Sequence, residues 1–169
     1  ELYGKTVGIL GFGNIGKEVA RIAHGIGMNV IAYDPYVSDD DESVKKYSVK
    51  MMDKSDVIKN ADFLTLHIPL TDGTKHIINK ETIDTMKTGA YLVNTARGEL
   101  VDEDALYDAL VAGKLAGAAA DVFSKEPPEG HKLLKLDNFI LVAHMGAYTK
   151  EANEKMALKS AENLIKMLE

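Results

Sequence analysis

The chain has 169 residues, 46% of them hydrophobic and 27% charged, the make-up of an ordinary globular protein with room for one well-packed domain. Its net charge of −6, with no basic cluster to offset it, argues against a nucleic-acid surface, and no apolar run approaches the roughly 18 residues that span a bilayer. The absence of cysteine excludes disulfides and thiolate metal sites, in keeping with a cytoplasmic protein.

No secretory signal is expected, because Glu1-Leu2-Tyr3-Gly4-Lys5 runs straight into Thr6-Val7-Gly8-Ile9-Leu10, an apolar stretch of the kind buried in parallel sheets. A first residue other than Met predicts an excised or processed piece. From Asn14 to Ile26, Ile15, Val19, Ile22, Ala23 and Ile26 repeat on one helical face, and Gly25 and Gly27 are placed to stop the helix. Asn29–Tyr33 reads as a second strand ending in Asp34-Pro35. The charge run Ser38-Asp39-Asp40-Asp41-Glu42 reads as a solvated loop. A short helix is predicted over Lys54–Lys59 and a strand over Phe63–His67, stopped by Pro69. Further strands are predicted at Ala90–Asn94, Leu115–Val122 and Phe139–Ala143, with helices over Asp102–Ala112 and Thr149–Leu168, the latter capped by Thr149. No repeat or linker interrupts the series. The alternation predicts an α/β fold, a doubly wound parallel sheet (Rossmann fold) in a single domain.

Gly11, Gly13 and Gly16 form a G-x-G-x-x-G pattern between the first strand and the first helix, the context in which the motif holds a dinucleotide. Gly11 permits the tight turn, Gly13 lets the backbone approach a pyrophosphate, and Gly16 lets helix and strand pack closely. A glycine-rich turn without a ligand is the plainer alternative. Asp34 weighs against it: 23 positions after Gly11, at the end of the second strand, its carboxylate can accept from ribose hydroxyls. No Arg follows to receive a 2′-phosphate, so the expected cofactor is NAD rather than NADP.

Ligands of such sheets bind beyond the carboxyl ends of the strands. There Arg97 follows one strand, Glu126 a second and His144 a third, converging on the edge that carries the glycine turn. Reduction of a 2-oxo acid needs a hydride, a proton for the carbonyl oxygen and a cation for the carboxylate. Arg97 offers the fork, His144 the proton, and a Glu126 carboxylate beside it would favour the protonated ring and orient it. Singly, each also reads as a surface pair, a solvated loop charge or a packing residue.

Taken together, Gly11–Gly16, Leu66-His67-Ile68-Pro69-Leu70-Thr71, Val93-Asn94-Thr95-Ala96-Arg97-Gly98, Ala120-Asp121-Val122-Phe123 with Glu126-Pro127, and His144-Met145-Gly146-Ala147 resemble a known family. They are similar to the cofactor domain of the NAD-dependent D-isomer-specific 2-hydroxyacid dehydrogenases, which include phosphoglycerate dehydrogenase, formate dehydrogenase and glyoxylate reductase. The resemblance runs over almost the whole chain. It implies that Arg97, Glu126 and His144 are the catalytic Arg, Glu and His, with His144 as proton donor and Glu126 as its partner. It implies that Asn14 and Ile15 meet the pyrophosphate through the cofactor-binding turn of Gly11, Gly13 and Gly16, that Asp34 binds the ribose, and that Ile68 and Pro69 lie beside the adenosine. Thr95, Ala96, Arg97, Asp121, His144 and Gly146 match positions at the nicotinamide end, Asp121 being able to accept from the carboxamide. Glu126 departs from formate-type members, and Ala143 stands where many relatives have Pro.

Among the other histidines, His67 is open between the adenosine pocket and a structural role, while His24, His76 and His131 read as surface or packing residues. No metal site is expected. The family's second, substrate-covering domain is expected to be absent, leaving residues 1–169 as an NAD-binding domain that is inactive or weakly active alone. The substrate would be a D-2-hydroxy or 2-oxo acid, 3-phosphoglycerate being one candidate. A dinucleotide-sensing module like the family's transcriptional corepressors is the alternative function, and a homodimer without nucleic-acid or membrane partners is the expected assembly.

Overall fold

The computed structural model describes residues 1–168. Seven strands form one sheet: β1 (Thr6–Leu10), β2 (Asn29–Tyr33), β3 (Lys50–Met51), β4 (Phe63–Leu66), β5 (Ala90–Asn94), β6 (Leu115–Ala120) and β7 (Phe139–Leu141). Their order is β3-β2-β1-β4-β5-β6-β7 and every pair is parallel, so all carboxyl ends lie on one edge. The order reverses between β1 and β4, which puts the switch point of the doubly wound fold at the turn after β1.

Period-two alternation divides the core between the two faces. Val7, Ile9, Val30 and Ala32 pack on one face with Ala20 and Ala23 of α1 (Asn14–Gly25) and Val44 of α2 (Glu42–Lys46). Leu10, Leu64, Leu66 and Leu92 belong to the opposite cluster, with Val57 and Ile58 of α3 (Lys54–Asn60), Ile83 of α4 (Lys80–Thr85) and Leu106 and Leu110 of α5 (Glu103–Val111). The chain closes on α6 (Lys150–Leu168), none of whose described residues is buried.

The predicted long elements are present; β1, β2 and β5 keep their predicted limits, and no other limit moves by more than two residues. The first helix ends at Gly25, Ile26 is its C-cap, and Gly27 turns away at φ +79°. Asp102 caps α5 from outside by accepting from the Asp104 and Ala105 amides. Thr149 caps α6, its Oγ accepting from the Ala152 amide at 3.1 Å. The strands stop at Leu66, Ala120 and Leu141, although the backbone pairing continues: the His67 amide donates to Leu10 and that of Val142 to Ala120.

Among the described residues, three short helices or strands and two 3₁₀ turns, at Gly98–Leu100 and Lys132–Lys135, are additional to the predicted elements. The acidic run is not wholly a loop, because Asp41 caps α2 by accepting from the Ser43 amide and also pairs with Lys17 at 2.6 Å. A reciprocal capping box between Asn79 and Thr82 starts α4. β3 has only two residues, and like the five of α2 it is too short to display a period.

Candidate active site

The glycine turn is shaped by steric limits on both sides. Gly11 has φ +94°, its amide donates to the Tyr33 carbonyl of β2, and a Cβ on it would strike the His67 carbonyl. A Cβ on Gly16 would strike the Gly11 carbonyl, so α1 reaches β1 only through a bare backbone. Gly13 is the opposite case, with nothing within 4 Å of where its Cβ would stand. As the N-cap of α1 it provides no side-chain acceptor, so the first amides of the helix receive no cap from it. An anion on a dinucleotide fits such a cradle.

A cleft of about 390 Å³ on the β2 side of this turn is lined by Gly13, Asp34, Tyr36, His67, Ile68 and Pro69, among others. Asp34 has a second task that its position in the sequence does not disclose. One carboxylate oxygen accepts from the Phe12 amide at 2.8 Å and the other from Tyr36 at 2.9 Å, so it ties the glycine turn to the loop after β2. Each oxygen keeps a lone pair for a ligand hydroxyl.

His67 sits in the wall of this cleft and is also tied to β4, the strand it follows. It lines the cleft, and its Nε2 lies 3.0 Å from the hydroxyl of buried Thr65. Burial pushes the ring down from 6.5 to about 4, so it is uncharged at neutral pH. Its pKa is lower folded than unfolded, so on acidification the unfolded chain takes up the proton first. The associated stability is intact above pH 6.5 and is lost as pH falls toward 4. The expected loss is on the order of 2 kcal/mol after allowance for partial exposure. Urea midpoints measured from pH 7 to 4 should fall less steeply for His67→Gln than for the unaltered chain, and parallel curves would contradict the assignment.

A second cavity, of about 400 Å³, lies on the other side of the turn and is lined by Ile15, Thr95, Asp121, His144 and Gly146, among others. Buried Asn94, at the end of β5, staples the turn that presents Arg97: its amide donates to the Arg97 carbonyl at 2.9 Å and its oxygen accepts from the Ala96 amide. Arg97 itself is exposed, with its guanidinium on the Ala96 carbonyl.

Asp121, buried just beyond β6, organises the next turn. Its carboxylate accepts from the Met145 and Gly146 amides at 2.7 and 2.9 Å, and its carbonyl accepts from the His144 amide. These three bonds hold His144 at φ +50°, a conformation that a non-glycine residue adopts only when its surroundings enforce it. Asp121 thus reaches the cavity wall where a carboxamide acceptor is expected, and both oxygens already support the histidine turn.

Glu126 and His144 meet directly. Glu126 Oε2 lies 2.8 Å from His144 Nδ1, and Oε1 accepts from the Phe123 amide at 3.0 Å. The bond to His144, and next the Phe123 amide, hold the Glu126 carboxyl below the usual range, with Arg97 adding a weaker pull. With Nδ1 engaged, Nε2 is the ring nitrogen left for another partner. Ala96 is partly buried, while Ile68 and Pro69 line the first cleft. The roles of Asn94 and Thr65 escape a reading of residue types, because buried amides and hydroxyls carry no charge or spacing signature.

A profile described as "D-isomer specific 2-hydroxyacid dehydrogenase, NAD binding domain" matches residues 1–146. The chain is 48% identical over 169 residues to D-3-phosphoglycerate dehydrogenase of Methanocaldococcus jannaschii, covering 99% of itself and 32% of that protein. It is 47% identical to hydroxypyruvate reductase of Thermotoga maritima, covering 54% of it. Among solved structures it superposes with TM-score 0.93 on a glyoxylate reductase from Paecilomyes thermophila, at 38% identity and covering 99% of this chain and 50% of that one. It superposes with TM-score 0.90 on the NAD complex of a D-isomer specific 2-hydroxyacid dehydrogenase from Lactobacillus delbrueckii, at 34% identity and covering 54% of that chain. The chain therefore spans between about a third and a half of the length of these relatives. Nothing in these likenesses supports the corepressor alternative.

Proposed function

Since the chain belongs to the D-isomer specific 2-hydroxyacid dehydrogenase family, as its NAD-binding domain, we propose that it carries the reactive groups for interconverting a 2-oxo acid and a D-2-hydroxy acid. The observation that carries the proposal is the 2.8 Å contact between Glu126 and His144 on the same sheet edge as the glycine turn. NADH, when bound, supplies a hydride to the carbonyl carbon. Arg97 pairs with the substrate carboxylate through its planar fork. His144 delivers a proton from Nε2 to the carbonyl oxygen, and Glu126 on Nδ1 fixes the ring's direction and offsets its charge. In the reverse direction His144 accepts the hydroxyl proton.

Gly11, Gly13, Asn14, Ile15 and Gly16 are the proposed pyrophosphate site, Asp34 the ribose acceptor, and Ile68 with Pro69 the adenosine wall. Thr95, Ala96, Asp121 and Gly146 are proposed for the nicotinamide end. The proposed substrate is a class, the D-2-hydroxy and 2-oxo acids, and near-equal identity to a phosphoglycerate dehydrogenase and a hydroxypyruvate reductase favours no single member. Residues 1–169 are taken as one NAD-binding domain working in the cytoplasm. A homodimer is part of the proposal, supported by exposed Ile140 on β7 and exposed Met145 and Tyr148 in the segment leading into α6, and light scattering checks its mass.

The test places this chain in Thermotoga maritima hydroxypyruvate reductase in exchange for the matching part. The chimera is expected to reduce hydroxypyruvate with NADH. In it, His144→Ala should lower kcat by about 10²–10⁴ with NADH affinity little changed. An equal loss in NADH affinity and none in kcat would contradict the proton-donor role.

A further inference from the structure

The loop that presents Glu126 is held by two side chains outside the reactive set. Glu103 is the first residue of α5, yet it plays no part in capping that helix, because Asp102 already accepts from the Asp104 and Ala105 amides. Its carboxylate turns outward instead. Oε1 accepts from the Ser124 amide at 2.8 Å, and Oε2 lies 3.2 Å from His131 Nε2. The two side chains are only 18% and 25% exposed, so water competes weakly for these bonds.

His131 is bound on its other nitrogen as well. Nδ1 accepts from the Leu133 amide at 3.3 Å, capping the 3₁₀ turn over Lys132–Lys135. An accepting Nδ1 carries no proton, which assigns the proton to Nε2 and makes His131 the donor to Glu103. The ring also meets the Phe123 ring edge-on, at 5.8 Å between centroids.

Everything converges on the dipeptide Phe123-Ser124. Its first amide donates to Glu126, and its second donates to Glu103. From the opposite side Gly98, the residue after Arg97, lies so close that a Cβ there would strike the Phe123 carbonyl group and the Ser124 nitrogen. A shift of this dipeptide therefore moves Glu126 directly and the Arg97 turn by contact.

We propose that Glu103 and His131 are positioning residues for the Glu126–His144 pair: Glu103 pins the Phe123-Ser124 backbone, and His131 holds Glu103 in place. The inference rests on the reading of Glu126 as the partner of His144. Among the described residues, the neighbouring Lys132–Asp104 pair, 2.6 Å apart, makes no hydrogen bond or ion pair with Phe123, Ser124 or Glu126, and it is the control that separates positioning from general stabilisation.

The test uses NMR of the 169-residue chain, with two readouts: the side-chain carboxyl titration of Glu126 and the ring-nitrogen shifts of His144, which report its Nδ1–H tautomer. Glu103→Ala is expected to raise the Glu126 midpoint toward the ordinary carboxylate value, a change of at least about threefold in proton affinity, and to mix the His144 tautomers. Glu103→Gln offers one acceptor where Glu offers two, so it should shift both signals in the same direction by less. His131→Ala should also shift them in that direction. If Glu103→Ala does not fold, Glu103→Gln and His131→Ala carry the test. Asp104→Ala should leave both signals in place whatever it does to the urea midpoint. Glu126→Gln is the control on the underlying pairing: unchanged His144 nitrogens there would show that the pair itself is misassigned. If Glu126→Gln alters His144 while the folded Glu103 and His131 variants leave both readouts as in the unaltered chain, the pairing stands and the positioning role is overturned.

Discussion

Alone, the 169-residue chain is expected to bind NADH and yet to oxidise it with 2-oxo acids at least about 10³-fold more slowly than the hydroxypyruvate reductase of Thermotoga maritima. The reason lies in the exposure of the reactive groups. His144 and Glu126 side chains are 55% and 38% exposed, and Arg97 is exposed on the same edge. Such a surface contributes one wall to a reaction that needs the carbonyl carbon held against the hydride donor. Orientation of two reactants is worth roughly 7–11 kcal/mol, and a single guanidinium in water recovers a small part of it. The open wall also lets water compete for every charge the reaction develops. Absorbance at 340 nm (the usual NADH band), recorded for the chain beside the reductase on one panel of 2-oxo acids, checks the expectation. Comparable rates would mean that the chain alone forms a complete site.

The glycine turn offers a second large effect, with opposite signatures at neighbouring positions. Gly11→Ala meets two penalties, a left-handed backbone at φ +94° and a Cβ against the His67 carbonyl. Together these are expected to cost roughly 2–5 kcal/mol of stability, a large part of what a domain of this size possesses. Gly13→Ala meets neither. Its φ of −76° suits alanine, and nothing lies within 4 Å of the new methyl group. Stability should hold or rise by a few tenths of a kcal/mol, since alanine restricts the unfolded chain. The methyl group occupies the approach to the first amides of α1, however, so NADH affinity should fall at least about tenfold. Urea denaturation and calorimetry on the two variants separate these outcomes. A Gly13→Ala variant that binds NADH as the unaltered chain does would remove the pyrophosphate from this turn.

Much of this arrangement is legible in the sequence because the long elements advertise themselves. The apolar runs of β1, β4 and β5 and the helical stripe of α1 are strong periodic signals, and parallel order follows from their alternation. The convergence of Arg97, Glu126 and His144 follows from one topological rule, that each stands just beyond the carboxyl end of a strand. What stays hidden is of two kinds. Short elements such as β3 and α4 owe their existence to neighbours and caps rather than to a period. Second, the tasks of polar residues depend on contacts far apart in the chain. Asp34 bonds back to Phe12, Asp121 forward to Met145 and Gly146, and Glu103 across to Ser124. His131 reads from the sequence as a surface or packing residue, and only its contact with Glu103 gives it a different role. Residue type alone announces a carboxylate; its partner appears only once the chain is folded.

One NADH is proposed to span the sheet edge from the Asp34 cleft to the His144 turn, and amide chemical-shift mapping of the labelled chain with NADH checks this. A single saturable event is expected, one NADH per chain, that moves Gly13, Asn14 and Tyr36 together with Thr95, His144 and Gly146. Shifts confined to the Asp34 side, with Thr95, His144 and Gly146 unmoved at saturation, would contradict it.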